Sequence, residues 1–331
     1  MPTQPPASTT FTPPTTTTTN HPSASSSSSS SLPPPTTFSH RTFTITTLKR
    51  PILKAGPIDA LSSRLGIPVP EMIFGDNLAR ITHARTGWAV SFSAEGALDT
   101  VDKTGASGML RVAHAGEWSR SREGSALTEG IREVVRPFDW SYSCAYKGDE
   151  AEGRQAERLR RVVLGGRGEG GGRGGAQGGK GRGEGGKGEE EEEEEGEGIP
   201  VELLKRRDPI LFADEVVLYE SELDDNGISL LSVKLRVMEQ RMLLLCRLFM
   251  RLDNVLVRVR DTRVYVDFDR EVVVREYTAR EDAFDNVKRK LYMSGLMPDA
   301  ITVALRDSNQ VANLLPVVEH SLENLCLAPQ K

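Results

Sequence analysis

Few residue patterns in this chain could support catalysis or bind a metal. The chain has no HExxH, no GxSxG and no paired Cys/His spacing, so the usual metalloprotease, hydrolase and zinc-site signatures are missing. The residues that could ligate a metal are instead scattered singly along the sequence. They are His21, His40, His83, His114, His320, Cys144, Cys246 and Cys326. We therefore expect no enzymatic activity, no metal and no cofactor.

Three short motifs only partly match known binding loops. Asp224-x-Asn226-Gly227 lacks the third acidic ligand and the distal Glu of a calcium loop. Gly179-Lys180-Gly181 is not followed by Ser or Thr and has no flanking strand, as a phosphate-binding loop requires. Arg173-Gly174-Gly175 is a single RGG-like unit without aromatic residues for base stacking. The sequence therefore favours neither calcium, nucleotide nor nucleic-acid binding.

The cysteines and the apolar segments indicate the compartment. Cys246 lies inside an apolar run, which is typical of a buried thiol, and the three cysteines form no disulfide framework. The N-terminus lacks the basic start and apolar core of a secretory signal, and no Arg precedes Arg41. Charged residues interrupt the longest apolar stretch, 242–257, which predicts no membrane span. We expect a cytosolic protein that also enters the nucleus.

Composition divides the chain into segments that can and cannot fold. The 331 residues carry a net charge of −5, much of it from the glutamate run 189–195. Residues 1–40 are rich in Ser, Thr and Pro, and 149–198 are charged or Gly-rich, so both are predicted to be disordered. The remainder, 41–148 and 199–327, is predicted to form a single domain. This domain is near neutral, so bulk charge identifies no partner.

Residues 228–278 contain the strongest secondary-structure signal. Short apolar runs with a two-residue period are separated by pairs that favour turns, which predicts consecutive antiparallel hairpins. The predicted turns are Asp253-Asn254, Asp261-Thr262 and Asp269-Arg270. The fold class is α+β, with a mostly antiparallel two-layer β-sheet core and peripheral helices.

Weaker signals predict further elements on both sides of this meander. A helix from Pro57 is predicted to end at Gly66, and strands at 78–82 and 88–92 flank a turn. Residues 134–142 are predicted to form an edge strand or an arm lying across the sheet.

Two helices are predicted after the meander. The capping box of Thr278 and Glu281 predicts a helix as far as Met293. A terminal helix is predicted over 309–325, kinked at Pro316.

The segment PEMIFGDN, residues 70–77, has two interpretations. Pro68 and Pro70 force extended backbone and place Met72 and Phe74 beside a Gly-Asp-Asn turn. The segment is either a loop held to the core by its apolar residues or a recognition loop with partly exposed hydrophobes.

Several segments, in the expected order, are similar to one known family. The chain resembles the TIPRL family, the TIP-forty-one-like regulators of type 2A protein phosphatases in TOR signalling. The matching segments are KRPILKAGPIDAL (49–61), IPVPEMIFGDN (67–77), SGMLRVA (107–113), VVRPFDWSYSCAYKG (134–148), DPILFADEVVLYESELDDNGISLLSVKLRVM (208–238), LLLCRLFMRLDNVLVRVRDTRVYV (243–266), REYTAREDAFD (275–285) and LLPVVEH (314–320).

The resemblance implies a non-catalytic regulator. Such proteins bind the catalytic subunit of type 2A phosphatases and modulate or inhibit it. In fungi they also engage the Tap-forty-two (alpha-four-type) phosphatase-associated protein. The alternative is an adaptor or scaffold for phosphatase assembly factors that has little direct effect on activity.

The resemblance also implies a set of partner-binding residues. The predicted turn 260–263 is placed at the interface because turn side chains project from a rigid sheet. The alternative is that Asp261 only shapes this turn through its backbone. The residues implied at the interface are Asp261, Arg263, Arg260, Val259, Ile199, Met72, Phe74, Asp76 and Gly96. At Gly96 the family pattern FNAxDAL carries Asp. For Asp261→Asn the interface hypothesis predicts unchanged stability and weaker phosphatase binding.

Overall fold

The structure is a computed structural model that describes residues 33–101, 142, 145–151, 157–164, 198–222 and 227–327. Its strands are β1 (Thr36–His40), β2 (Phe43–Leu48), β3 (Met72–Ile73), β4 (Leu78–His83), β5 (Ala89–Ser93), β6 (Asp149–Ala151), β7 (Glu157–Leu164), β8 (Phe212–Ser221), β9 (Gly227–Val237), β10 (Arg241–Leu252), β11 (Leu256–Asp267), β12 (Val272–Ala283) and β13 (Val317–Cys326). Its helices are α1 (Ala55–Leu65), α2 (Ala94–Asp99), α3 (Val201–Lys205), α4 (Phe284–Met293), α5 (Pro298–Ala304) and α6 (Ser308–Val311), which a 3₁₀ turn (Ala312–Leu314) follows.

The strands form two antiparallel sheets. The small sheet has the order β1-β2-β4-β5-β6, and the large sheet has the order β3-β8-β9-β10-β11-β12-β13-β7. Strands β8 to β12 follow one another as hairpins, as the alternating apolar pattern predicts. The α+β prediction of an antiparallel two-layer core with peripheral helices is therefore confirmed.

The two faces of the large sheet bury two separate cores. On the first face, residues such as Leu244 and Val264 pack with Ile45 and Ile81 of the small sheet. On the second face, part of β10 and β11 packs against α4, α5 and α6. This second core contains Phe249, Val257, Val259, Phe284, Val287, Leu291, Ile301, Ala304, Leu305, Val311, Ala312 and Leu315. The helices thus cover one end of the second face.

The turn predicted at Asp261-Thr262 is wrong. Strand β11 continues through both residues, and Asp261 pairs in register with Arg247 on β10 and Thr278 on β12. An Asp usually interrupts a strand, but here two arginine side chains neutralise its charge inside the sheet.

Both helices predicted after the meander need correction. The capping-box prediction is wrong, because Thr278 is buried within β12 and helix α4 begins only at Phe284. The terminal helix is also wrong, because the chain after Pro316 forms β13, which pairs with β12. The apolar spacing of this segment fits either period, and pairing with a neighbouring strand decides the outcome.

The structure also corrects the predicted boundaries of the disordered segments. Strand β1 lies within the segment 1–40 and pairs with β2, while its Phe38 ring stacks on Phe212 at 5.0 Å. Strands β6 and β7 lie within 149–198 and pair with β5 and β13. The rest of both segments, and the predicted edge strand 134–142 apart from Tyr142, lie outside the described residues.

Other elements are confirmed. Helix α1 ends at Gly66, whose φ of 71° is the left-handed cap that glycine favours. Strands β4 and β5 flank the predicted turn at 85–87.

Among the described residues, no helix is long and apolar enough to cross a membrane, and no group of His, Cys, Asp and Glu side chains is arranged to hold a metal ion.

Candidate partner-binding face

The candidate site lies on the second face of the large sheet, beside the end that the helices cover. Paired residues of neighbouring strands point to the same face, so the strand register places two rows of side chains next to each other. One row comprises Ser232, Arg247, Asp261, Thr278 and His320. The adjacent row comprises Lys234, Leu245, Arg263, Glu276 and Leu322.

A carboxylate that is almost completely buried lies at the centre of these rows. The side chain of Asp261 is 1% exposed. Arg247 binds both oxygens of this carboxylate: its Nε donates to Oδ1 at 2.7 Å, and its Nη2 donates to Oδ2 at 2.8 Å. Arg263 Nη2 donates to the same Oδ2 at 2.8 Å. This bidentate pair with a second arginine provides the hydrogen bonds that a buried charge requires.

The ion pairs continue across the sheet. Arg263 Nη1 donates to Glu276 Oε2 at 3.2 Å, and His320 Nε2 lies 3.0 Å from Glu276 Oε1. Arg247 Nη1 also donates to Asn309 Oδ1 at 3.0 Å, which joins the sheet to helix α6. We call Arg247, Asp261, Arg263, Glu276 and His320 the Asp261 network. It connects four strands and one helix through side chains alone.

The outer members of the Asp261 network reach solvent. The side chains of Arg263, Glu276 and His320 are 26%, 24% and 28% exposed, and Leu245 is half-buried beside Arg263. An arginine held by two carboxylates keeps one orientation, which is the preorganisation that recognition of a partner needs. The face can therefore present a fixed charge next to an apolar side chain.

Three of the proposed interface residues do not lie where the sequence placed them. Asp261 is buried in mid-strand and not in a turn, with its carboxylate bound by Arg247 and Arg263. Val259 is completely buried under the helices. Arg260 points to the opposite face. Burial there, beside Arg258, lowers the pKa of Arg260, and its Nη2 donates a hydrogen bond to Glu281 Oε2 at 3.2 Å. Arg263 alone of the predicted turn remains available.

The segment that contains Met72, Phe74 and Asp76 lies at the sheet edge. Main-chain Phe74 N donates to Leu218 O at 2.9 Å, and the buried Asn77 donates to Val217 O at 2.7 Å. The segment is thus held to the core, with Met72 and Phe74 half-buried and Asp76 exposed.

The structure does not bring this edge together with the Asp261 network. Strand β3 is four places from β11 in the sheet order, a separation of roughly 19 Å at the usual strand spacing. Ile199 is half-buried just before α3.

Gly96 lies in α2 against another carboxylate. A Cβ at this position would clash with Asp149 Oδ2 and come within 2.7 Å of the Tyr146 hydroxyl. Tyr146 donates that hydroxyl proton to Asp149 at 2.8 Å, and burial raises its pKa. Asp149 therefore places a carboxylate where an Asp side chain at position 96 would begin.

No motif in the sequence indicates that Arg247, Glu276 and His320 belong to one site. In the sequence, Arg247 is one of the charged residues that interrupt the apolar stretch 242–257. An arginine within such a run, opposite an Asp on the next strand, could have indicated a buried ion pair. Glu276 and His320 became neighbours only through the pairing of β12 with β13, which was predicted as a helix.

Comparison with known proteins identifies the relatives of the chain. A family model described as the TIP41-like family matches residues 72–288. The TIP41-like protein of Homo sapiens is 35% identical over 295 residues, which cover 87% of this chain and 90% of the relative. The TIP41-like protein of Rattus norvegicus is also 35% identical, covering 87% of this chain and 89% of the relative. The protein named type 2A phosphatase activator TIP41 in Saccharomyces cerevisiae is 33% identical, and the match covers 87% of this chain and 74% of the relative. The chain belongs to the TIP41-like family.

Proposed function

We propose that this chain binds the catalytic subunit of type 2A protein phosphatases and regulates it, without catalysing a reaction itself. Family membership supports the proposal, because the Saccharomyces cerevisiae relative carries the name of a type 2A phosphatase activator. The rigid Asp261 network supports it structurally, because the network fixes Arg263 beside Leu245 on a half-exposed sheet face.

The direction of regulation is a separate part of the proposal. The resemblance noted in the sequence implies inhibition, whereas the name of the yeast relative indicates activation. We favour direct modulation of activity over the adaptor or scaffold alternative. An assay of purified catalytic subunit with increasing amounts of the chain distinguishes them, since an adaptor binds with little change in turnover.

The variant Arg263→Gln tests the surface. It leaves Asp261 paired with Arg247, and Glu276 paired with His320, so the fold should be kept. If Arg263 contacts the phosphatase, binding should weaken by about 1–3 kcal/mol through the loss of a charge-assisted contact. Arg80→Gln is the matched control, because Arg80 is exposed on β4 of the small sheet. Equal weakening by both variants, or by neither, would remove the Asp261 network from the binding surface.

Two finer parts of the proposal concern partners and location. A Tap-forty-two-type phosphatase-associated protein is proposed as a further partner, and co-purification with and without the catalytic subunit tests whether that contact is direct. A cytosolic and nuclear location is proposed, and fractionation followed by immunodetection tests it.

A further inference from the structure

Helices α4 and α5 form a surface that differs from the Asp261 network in both charge and exposure. Between them lies a cavity of about 570 Å³, within the size range of sites that hold a ligand or a peptide side chain. Phe284, Ile301 and Leu305 form its apolar floor, and all three are buried in the helix-covered core. The cavity can therefore take a large apolar group.

The rim of this cavity is basic. Lys288, Arg289 and Arg306 line it and are exposed, and within the described residues none of their side chains has an ion-pair or hydrogen-bond partner. Arg251, which also lines the cavity, differs because it has partners. Its Nη1 donates to Leu305 O at 3.2 Å, and its Nε lies 2.7 Å from Asp253 Oδ1.

The acidic lining residues do not balance these cations. Asp253 and Asp285 are the acidic residues among the described lining, against four basic ones. The rim thus carries excess positive charge that can attract an acidic partner.

Large apolar side chains extend the surface beyond the cavity. Tyr292 lines the cavity near the end of α4, and Met293 and Met297 follow it beyond the lining; their exposed fractions are 67%, 78% and 72%. Met293 lies four residues after Arg289 on α4, and Met297 lies directly before α5, four residues before Ile301. Each methionine is therefore on the same side of its helix as a residue that lines the cavity. Tyr, Met and Arg are the residue types enriched in protein interfaces. We call the cavity with this extension the α4–α5 patch.

We propose that the α4–α5 patch binds an acidic segment of a partner protein that inserts one large apolar side chain into the cavity. The unpaired basic rim requires acidic residues on either side of this anchor. The exposed Tyr and Met side chains extend past the cavity, so they fit a peptide better than a small molecule. The proposed phosphatase contact uses the open part of the sheet and not the helices, so this proposal does not depend on it.

Selection from random peptides tests the inference without assuming a partner. Phage-displayed 12-residue peptides are panned on the full chain, and the enriched peptides are synthesised and titrated. We expect the enriched sequences to combine Asp or Glu with one large apolar residue. Absence of such enrichment would overturn the proposal.

Charge-reversal variants locate the binding site. R289E/R306E should lower the affinity of the enriched peptides at least tenfold, and M293S/M297S at least fivefold. K54E/R80E is the matched control, because it reverses two exposed basic residues outside the cavity lining. It should change the affinity less than twofold. Thermal melts confirm that each variant folds. Equal losses in R289E/R306E and K54E/R80E would show non-specific attraction and overturn the site.

A lipid surface is the competing partner for a basic, apolar patch. Vesicles with and without phosphatidylserine are therefore titrated in parallel. Vesicle binding that needs Arg289 and Arg306, without binding of any acidic peptide, would contradict the peptide proposal.

Discussion

The Asp261 network and the α4–α5 patch use charged residues in opposite ways. The network buries its central carboxylate and surrounds it with two arginines. The patch leaves Lys288, Arg289 and Arg306 exposed, without a partner among the described side chains. A buried charge must be paired, whereas an exposed cation costs little when it is left to solvent. Removal of the buried Asp261 charge should therefore change folding, whereas substitution of half-exposed or exposed residues such as Arg263 and Arg289 should change binding.

The largest effect is expected for Asp261→Asn. The change leaves Arg247 and Arg263 facing a neutral amide, so stability should fall by about 3 kcal/mol, as when a buried ion pair loses one partner. This reverses the expectation from sequence that stability would hold. Urea unfolding measures the difference. Asp76→Asn, at an exposed position, should stay within about 0.5 kcal/mol. Equal stability of wild type and Asp261→Asn would contradict the structural role of the network.

A smaller effect is expected at Gly96. In the wild type, Gly96→Ala pushes a Cβ against the Asp149 carboxylate and the Tyr146 hydroxyl and should destabilise by about 1 kcal/mol. In an Asp149→Ala background only the Tyr146 hydroxyl remains close to that Cβ, so the same change should destabilise less. The four proteins of this cycle are compared by chemical unfolding. An equal loss in both backgrounds would show that Asp149 does not occupy the space.

A pH effect is expected from a second buried cluster, between the two sheets. Burial lowers the pKa of His83, whose ring lies 3.6 Å from Glu271. The folded state then binds fewer protons than the unfolded state, so stability is complete above the ordinary His pKa of about 6.5 and falls as the pH drops below it.

Glu271 contributes at lower pH with the same sign. Burial alone would raise its pKa, but hydrogen bonds from Arg85 and Thr42 outweigh it, so the pKa is lowered. Its stabilisation is present above the ordinary Glu pKa and is lost in more acidic solution. As the pH is lowered from about 8 to about 3, the free energy of unfolding should thus fall in two stages. His83→Gln should remove only the first stage. An unchanged first stage in that variant would assign it to another group.

The smallest effect is expected in the α4–α5 patch. The free energy of unfolding of M293S/M297S should stay within about 0.5 kcal/mol of the wild-type value, because both side chains are largely exposed. Thermal and urea melts give the comparison. A loss above 1 kcal/mol would mean that these methionines pack inside the folded chain, and the contrast with the network would fail.

Local pattern was enough to predict the hairpin turns at Asp253-Asn254 and Asp269-Arg270 but not the charged site. Alternating valines and leucines specify β9 to β12, because the period of two identifies the buried face directly. Asp261 was placed in a turn because an Asp rarely lies inside a strand, and its two arginine partners are revealed only by register. Thr278 and Glu281 match a capping box, but pairing with β11 and β13 keeps Thr278 in a strand. The α4–α5 patch depends on how two helices pack against each other, and the periodicity of the sequence does not predict that packing.

The most direct measurement is a calorimetric titration of purified type 2A phosphatase catalytic subunit into the full chain and two variants. The account predicts stoichiometric binding to the wild type, weaker binding to Arg263→Gln and unchanged binding to R289E/R306E. No binding to the folded wild type would contradict the proposed function. Normal binding to Arg263→Gln with loss in R289E/R306E would place the phosphatase on the α4–α5 patch and overturn the assignment of the two surfaces.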